Sequence, residues 1–317
     1  MVWIHGGGLY HGAGSRYDGS VLASFNDVIV VTFNYRLGLL GFLNIPGTDL
    51  KGNYGMLDQV MALKWVQENI GRFGGDSDRV IIFGQSAGGV STDLLILSPL
   101  TKGLFSSAII QSGFATSVFA YSSSSDPNKH AHFVKKLQCD ITKDLLPCLR
   151  SKTRKEIVKA QAIAGNFPAP IYSANAYAQA GINTYVYQFS HKSYYSIHPE
   201  NTGVHHFDEV QYVFGVPWKE NSYVSQAFSY TDVERGLSTM MMRLWSNVAI
   251  YGSPNGYDRD LFRWPKYSIN SQEYLDIKLE PSVGRKLHAD RVVFWNQLIP
   301  KLANIDAYKE STRKRKK

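Results

Sequence analysis

The most constraining feature of this sequence is Gly84-Gln85-Ser86-Ala87-Gly88-Gly89, which directly follows a β-branched, apolar run ending at Phe83. Small residues two positions before and two positions after a serine allow the sharp strand-to-helix turn that exposes a hydroxyl group. An apolar, helix-compatible stretch follows, and the N-terminus of such a helix directs N–H groups towards developing negative charge. In this context the motif predicts a nucleophile elbow with Ser86 as nucleophile, rather than a chance glycine turn.

A second glycine-rich segment, His5-Gly6-Gly7-Gly8, follows the apolar run Val2-Trp3-Ile4. Consecutive glycines let backbone N–H groups approach a substrate oxygen because no Cβ atom stands in the way. Alone, such a segment is as often merely a turn. Upstream of the elbow, it indicates the oxyanion loop of an esterase or lipase.

A serine nucleophile requires a base, and the chain contains nine histidines. His206 lies in a predicted loop after the alternating segment 183–189, which we interpret as a strand. This is where the fold delivers its base, so we predict His206 for that role. The neighbouring His205 is the alternative.

Strand and helix patterns alternate along the chain, which predicts an α/β fold with a central, mostly parallel sheet flanked by helices. A helix is expected to begin near Asn53, with an apolar stripe, and to end at the glycines near position 71. The polar stretch 122–129 predicts a surface loop. The remaining expected strands are 28–33, 78–83 and 108–110, and the remaining expected helices are 233–250 and 287–302.

Length and charge limit the other classes of protein. With 317 residues, 44% of them hydrophobic, we expect one domain over residues 1–308. Of the net charge of +8, residues 309–317 carry +5, and we interpret them as a disordered basic tail rather than a nucleic-acid-binding arm. No apolar run reaches the roughly 18 residues of a membrane span. The first residues do not resemble a signal peptide.

Cys139 and Cys148 are the only cysteines. Their spacing fits a small loop disulfide or two unrelated buried thiols equally well. No nearby histidines complete a tetrahedral metal site. We therefore expect no metal.

Taken together, the motifs resemble the type-B carboxylesterase/lipase family, a cholinesterase-like α/β-hydrolase family that also contains the non-catalytic neuroligins. The resemblance implies a small-molecule carboxylic ester as substrate and no cofactor. It also implies a location in the secretory pathway, either secreted or in the endoplasmic reticulum lumen. The residue roles it implies are Ser86 as nucleophile, His206 as base, the N–H groups of Gly7, Gly8 and Ala87 as oxyanion hole, and a disulfide between Cys139 and Cys148. The segments that carry it are 2–8, 34–38, 55–59, 73–76, 83–89, 111–113, 185–189, 203–215, 252–255 and 294–296.

The sequence departs from the family in two places. It starts at the strand that leads to the oxyanion loop, so the fold is expected to be incomplete at its N-terminus. Residues 165–170 run straight into 171–174, without the strand and glutamate turn that orient the histidine in the family. The catalytic acid is therefore unknown, and impaired catalysis is expected. The alternative is an inactive, neuroligin-like protein that binds another protein, or an incomplete gene product.

Arg36 and Asp58 both lie beside apolar segments. An unpaired charge would be costly there, so we predict a buried ion pair between them. The family resemblance suggests the same pair.

Overall fold

The computed structural model describes most of the chain. The described residues are 1–45, 47–117, 131–140, 145–160, 171–194, 196, 198–219, 230–256, 263–294 and 298. The predicted loop 122–129 and the predicted tail 309–317 lie outside these residues.

The described strands are β1 (Val2–Ile4), β2 (Val31–Thr32), β3 (Ile81–Gln85), β4 (Ser107–Gln111), β5 (Tyr187–Phe189), β6 (Glu273–Ile277) and β7 (Ser282–Arg285). The described α-helices are α1 (Ser20–Asn26), α2 (Gly38–Phe42), α3 (Tyr54–Asn69), α4 (Ala87–Leu97), α5 (Ala131–Lys136), α6 (Leu145–Arg150), α7 (Arg154–Ala160), α8 (Ile171–Gln179), α9 (Val210–Val213), α10 (Asp232–Tyr251) and α11 (Ala289–Val293).

The chain forms two compact units, and the larger comprises Met1–Pro168 and Lys192–Asp258. Its sheet has the order β2-β1-β3-β4, and all neighbouring strands are parallel. Both β1 and β3 are buried throughout, as expected for central strands with a helix layer on each face. This confirms the predicted mostly parallel sheet flanked by helices.

Alternation along β1 divides its side chains between two layers. Val2 and Ile4 belong to a core cluster that includes Leu63 of α3. Trp3 belongs to an aromatic group, with its ring centroid 4.9 Å from that of Phe83 and 5.0 Å from that of Phe214. Three residues of strand thus contribute to the packing on both faces of the sheet.

The apolar stripe of α3 is only partly buried. Val60, Leu63 and Val66 are in the core, whereas Met61 is 67% exposed and Trp65 is 46% exposed. Nothing in the periodicity of a wide apolar stripe determines how much of its width another element covers.

The helix predicted over 233–250 is α10, which extends one residue further at each end. Its start is fixed by a capping box, in which the Thr231 and Glu234 side chains satisfy each other's backbone N–H groups. Its end is fixed by Gly252 at φ 68°. The strand predicted over 28–33 is shorter in the structure, because among the described strands β2 pairs with the three-residue β1 alone.

The second unit comprises Ala169–His191 and Arg259–Lys317. Its sheet has the order β5-β6-β7, with β5 parallel to β6 and β6 antiparallel to β7. Of the helix predicted over 287–302, the described α11 covers Ala289–Val293. The prediction of one domain over residues 1–308 remains a prediction.

The predicted disulfide and the predicted ion pair both form, but the ion pair is not buried as expected. Cys139 and Cys148 are joined by a disulfide, with their Cα atoms 5.8 Å apart. Arg36 donates to Asp58 from Nε at 2.8 Å and from Nη2 at 2.7 Å. The prediction that this ion pair is buried was wrong, since the Arg36 side chain is 52% exposed. The pair lies at the surface, where water solvates both charges and its net contribution to stability is small.

Candidate active site

Ser86 occupies a strand-to-helix elbow at the carboxyl end of the central strand β3. It follows Gln85 at the end of that strand and immediately precedes α4. Its backbone has φ 60° and ψ −122°, which a residue with a side chain adopts only at an energetic cost. Such strain is common at functional sites, and this elbow is the one that the motif predicts.

The elbow is held by close backbone contacts on both sides. Ser86 N–H donates to the Gln111 carbonyl at 2.8 Å, and Val90 N–H donates to the Ser86 carbonyl at 2.9 Å. A Cβ atom at Gly88 would collide with the Ile4 carbonyl oxygen. Only glycine therefore lets α4 start this close to β1.

The glycine loop after β1 lies directly against the elbow. A Cβ atom at Gly6 would lie 3.1 Å from the Ser86 Cβ atom. Gly7 has φ 108° and Gly8 has φ 62°, conformations that glycine adopts readily. Ala87 opens α4, and the first N–H groups of a helix lack partners within it. The structure thus brings Ser86, Ala87 and the glycine loop together.

His206 reaches the same region through Gln85. The Gln85 Nε2 atom lies 3.2 Å from Nε2 of His206 and 3.5 Å from its Nδ1. Gln85 is buried and directly precedes Ser86, so the amide connects the elbow to the imidazole. Protein atoms around the ring lower the pKa of His206 by desolvation, which favours the neutral imidazole that a general base requires.

His205, the alternative base, makes different contacts. Its ring stacks on that of His198, with centroids 3.6 Å apart. Its backbone N–H donates to Asp208 at 2.7 Å. The contact with Gln85 is therefore made by His206, and the convergence of all five predicted residues on one pocket remains a prediction.

Behind the elbow lies a buried polar cluster formed by Gln111, Glu209 and Trp245. Gln111 Nε2 donates to Glu209 Oε1 at 3.2 Å, and Trp245 Nε1 donates to Gln111 Oε1 at 3.1 Å. Burial raises the pKa of Glu209 to about 7, and the neighbouring Asp208 charge adds to this effect.

Gln85, Gln111 and Glu209 were not predicted as site residues. A usable signal was present, because Gln85 and Gln111 are polar residues at the carboxyl ends of adjacent parallel strands. Sites of α/β proteins form at this edge of the sheet.

Two expectations about absent groups remain predictions. The expectation that the catalytic acid is missing stays a prediction. Within the described ranges no three His, Cys, Asp or Glu side chains are grouped as metal ligands. Among those residues no helix is long and apolar enough to cross a membrane.

Phe207, directly after His206, has φ 89°, which is strained for a bulky residue. We expect Phe207→Gly to be more stable than Phe207→Ala by about 1 kcal/mol, because only glycine relieves this strain. Both variants lose the ring contact with Tyr17, so the difference between their stabilities reports only the backbone strain at position 207. Urea unfolding measures it, and equal stabilities would contradict the strain.

Three features together define an α/β-hydrolase. They are the parallel sheet with helices on both faces, the strained serine between a central strand and a helix, and the adjacent glycine loop. The carboxylesterase family model matches residues 1–172 and 165–295. The chain therefore belongs to the carboxylesterase family.

The curated relatives of this chain include proteins named as a hydrolase, an esterase and a neuroligin. Pyrethroid hydrolase Ces2e of Rattus norvegicus is 30% identical, over 95% of this chain and 70% of the relative. Cocaine esterase of Homo sapiens is 30% identical, over 95% of this chain and 72% of the relative. Neuroligin-3 of Mus musculus is 31% identical, over 96% of this chain and 52% of the relative.

These alignments also bear on the internal gap. They extend over 409 to 436 positions, more than the 317 residues of this chain, so the relatives carry residues inside the matched span that this chain lacks. The two matches to the family model meet at residues 165–172. The missing segment was predicted at this point of the chain.

Proposed function

We propose that this chain is a serine hydrolase of carboxylic esters, with Ser86 as nucleophile and His206 as base. The observation that carries the proposal is the strained backbone of Ser86, at φ 60° and ψ −122° between β3 and α4. Only an elbow of this kind presents a serine hydroxyl at the end of a central strand, beside a glycine loop.

The proposed reaction has two steps. Ser86 Oγ attacks the ester carbonyl carbon while His206 takes the hydroxyl proton, and the N–H groups of Gly7, Gly8 and Ala87 stabilise the oxyanion. The alcohol leaves with the proton from His206. Water, deprotonated by the same imidazole, then attacks the acyl-serine; the acid is released as the C–Oγ bond breaks, and the imidazolium returns the proton to Ser86 Oγ. No cofactor or metal takes part.

The turnover is expected to be weak, because an unoriented imidazole adopts the wrong tautomer and loses a factor of about 10⁴. The substrate class follows the names of the hydrolase relatives, and no particular ester is assigned. The disulfide between Cys139 and Cys148 supports an oxidising location, either secreted or in the endoplasmic reticulum lumen.

A fluorophosphonate probe tests the proposal directly, because it phosphonylates only an activated serine. We expect labelling of the intact chain, and mass spectrometry should assign the adduct to the peptide that contains Ser86. Heat-unfolded protein is the control. An adduct on another serine, or labelling that survives unfolding, would contradict the assignment.

The second candidate is a non-catalytic protein that acts by binding another protein. It is favoured by the 31% identity to Neuroligin-3 over 96% of this chain. A folded chain that shows no labelling would support this candidate, because a binding role does not require an activated serine.

A further inference from the structure

We propose that Gln111 is a positioning residue that holds the His206 segment in register with the nucleophile elbow. The inference rests on the proposed function, since positioning has a catalytic meaning only if Ser86 and His206 react together. It concerns a residue that makes neither the nucleophilic attack nor the proton transfer.

The first step is the position of Gln111 in the backbone. It is the last residue of β4, and its carbonyl accepts the Ser86 N–H at 2.8 Å. A Cβ atom at Gly113, two residues further on, would collide with the Ser86 carbonyl oxygen. The end of β4 is thus packed against the backbone of the nucleophile.

The second step is the side chain, which is buried and uses both ends of its amide. Nε2 donates to Glu209 at 3.2 Å and Oε1 accepts from Trp245 of α10 at 3.1 Å. Trp245 is itself buried, so this hydrogen bond fixes which way the amide points. Gln111 therefore presents its donor to Glu209.

The third step is the short chain between Glu209 and the base. Glu209 follows His206 by three residues and directly precedes α9, and its carbonyl accepts the N–H groups of Tyr212 and Val213 of that helix. Asp208 N–H donates to the His205 carbonyl, which closes the turn around His206. Fixing Glu209 therefore fixes the turn that carries the imidazole.

The alternative is that these contacts serve stability alone. Buried amides and carboxyls must find partners somewhere, and most such pairs have no further role. A structural role and a positioning role predict different effects on the reactivity of Ser86. A purely structural pair can be exchanged or removed without changing the reactivity of folded protein, whereas a positioning pair cannot be removed.

The experiment exchanges the donor and the acceptor. In Gln111→Glu, two carboxyls face each other, and in Gln111→Leu the link is absent. In the double variant Gln111→Glu/Glu209→Gln, the new amide donates to the new carboxylate and Trp245 keeps its acceptor. Glu209→Gln alone retains an acceptor for Gln111 and is the matched control.

The readout is the rate of fluorophosphonate labelling at Ser86, measured on protein shown to be folded. We expect Gln111→Leu to label about 10²-fold more slowly, since a displacement near 1 Å costs that much. The double variant should label at least about tenfold faster than Gln111→Glu. A Gln111→Leu protein that labels at the wild-type rate, or an exchange that restores nothing, would overturn the proposal.

Hydrogen–deuterium exchange of residues 203–213 separates this inference from the proposed function. We expect faster exchange of these amides in Gln111→Leu and near-wild-type exchange in the double variant. If the wild-type chain does not label, the proposed function fails. The hydrogen–deuterium exchange data alone then test whether Gln111 holds the His206 segment. If it labels but neither readout changes in Gln111→Leu, only the inference fails.

Discussion

Replacement of Ser86 by alanine is expected to lower the hydrolysis of an activated aryl ester by about 10²-fold, to the level of the chain without a nucleophile. In a complete triad, loss of the serine costs about 10⁶ in turnover and loss of the acid alone about 10⁴. A chain that lacks the acid, as is predicted for this one, would therefore retain a serine-dependent factor of about 10². The measurement is the initial rate at saturating ester.

Ser91→Ala is the matched control for this variant. Ser91 is buried in α4, the helix that begins directly after Ser86, where its hydroxyl accepts from Gln59 Nε2 at 3.2 Å, and it takes no part in the proposed chemistry. We expect it to keep the wild-type rate per folded molecule. An equal loss in both variants would show that packing of α4, and not the nucleophile, is being measured.

The size of the effect also tests the missing acid. If a carboxylate does orient His206, the wild-type turnover should be about 10⁴ higher, and Ser86→Ala should lower it by about 10⁶. That outcome would support the hydrolase and contradict the predicted loss of the acid.

Glu209→Gln is expected to raise the free energy of unfolding by about 3 kcal/mol at pH 8 and to change it little at pH 4.5. Burial raises the pKa of Glu209 from 4.5 in the unfolded chain to about 7 in the folded one. Between these values the folded state holds a proton that the unfolded state has lost, so the wild-type stability falls as the pH rises. The stability that the neutral carboxyl contributes is complete below pH 4.5 and is lost once the pH passes about 7.

A glutamine at this position cannot ionise, so the variant should lack this fall while keeping an acceptor for Gln111. Urea unfolding between pH 4.5 and pH 8 measures both proteins. Glu68→Gln, which removes an exposed glutamate of α3, is the control and should stay within about 0.5 kcal/mol of wild type throughout. Parallel curves for Glu209→Gln and wild type would show that Glu209 ionises normally in the folded protein.

Much of the fold could be predicted because its signals are local. The apolar runs, the elbow motif and the helix now numbered α10 each depend on residues close together in the sequence. Gly252 ends α10 with a positive φ, which is a requirement of its own backbone. The family resemblance added the disulfide pairing, which the cysteine spacing alone left open.

The tertiary structure decided what depends on distant neighbours. The exposure of Arg36, Met61 and Trp65 was not predictable, because burial depends on which elements cover a residue and not on its own pattern. The length of β2 was not predictable from the sequence either, because it is set by the short partner strand β1.

For the candidate site, the sequence by itself determined the nucleophile elbow and the glycine loop, since each is a motif with its own backbone requirement. The segment of the base was predicted from its place after a predicted strand. Only the tertiary structure selected His206 over His205 for contact with Gln85, and only it joined Gln111 to Glu209, 98 residues further along the chain. Hydrogen bonds between distant segments depend on how the sheet and helices pack in three dimensions. No spacing in the sequence encodes such a contact.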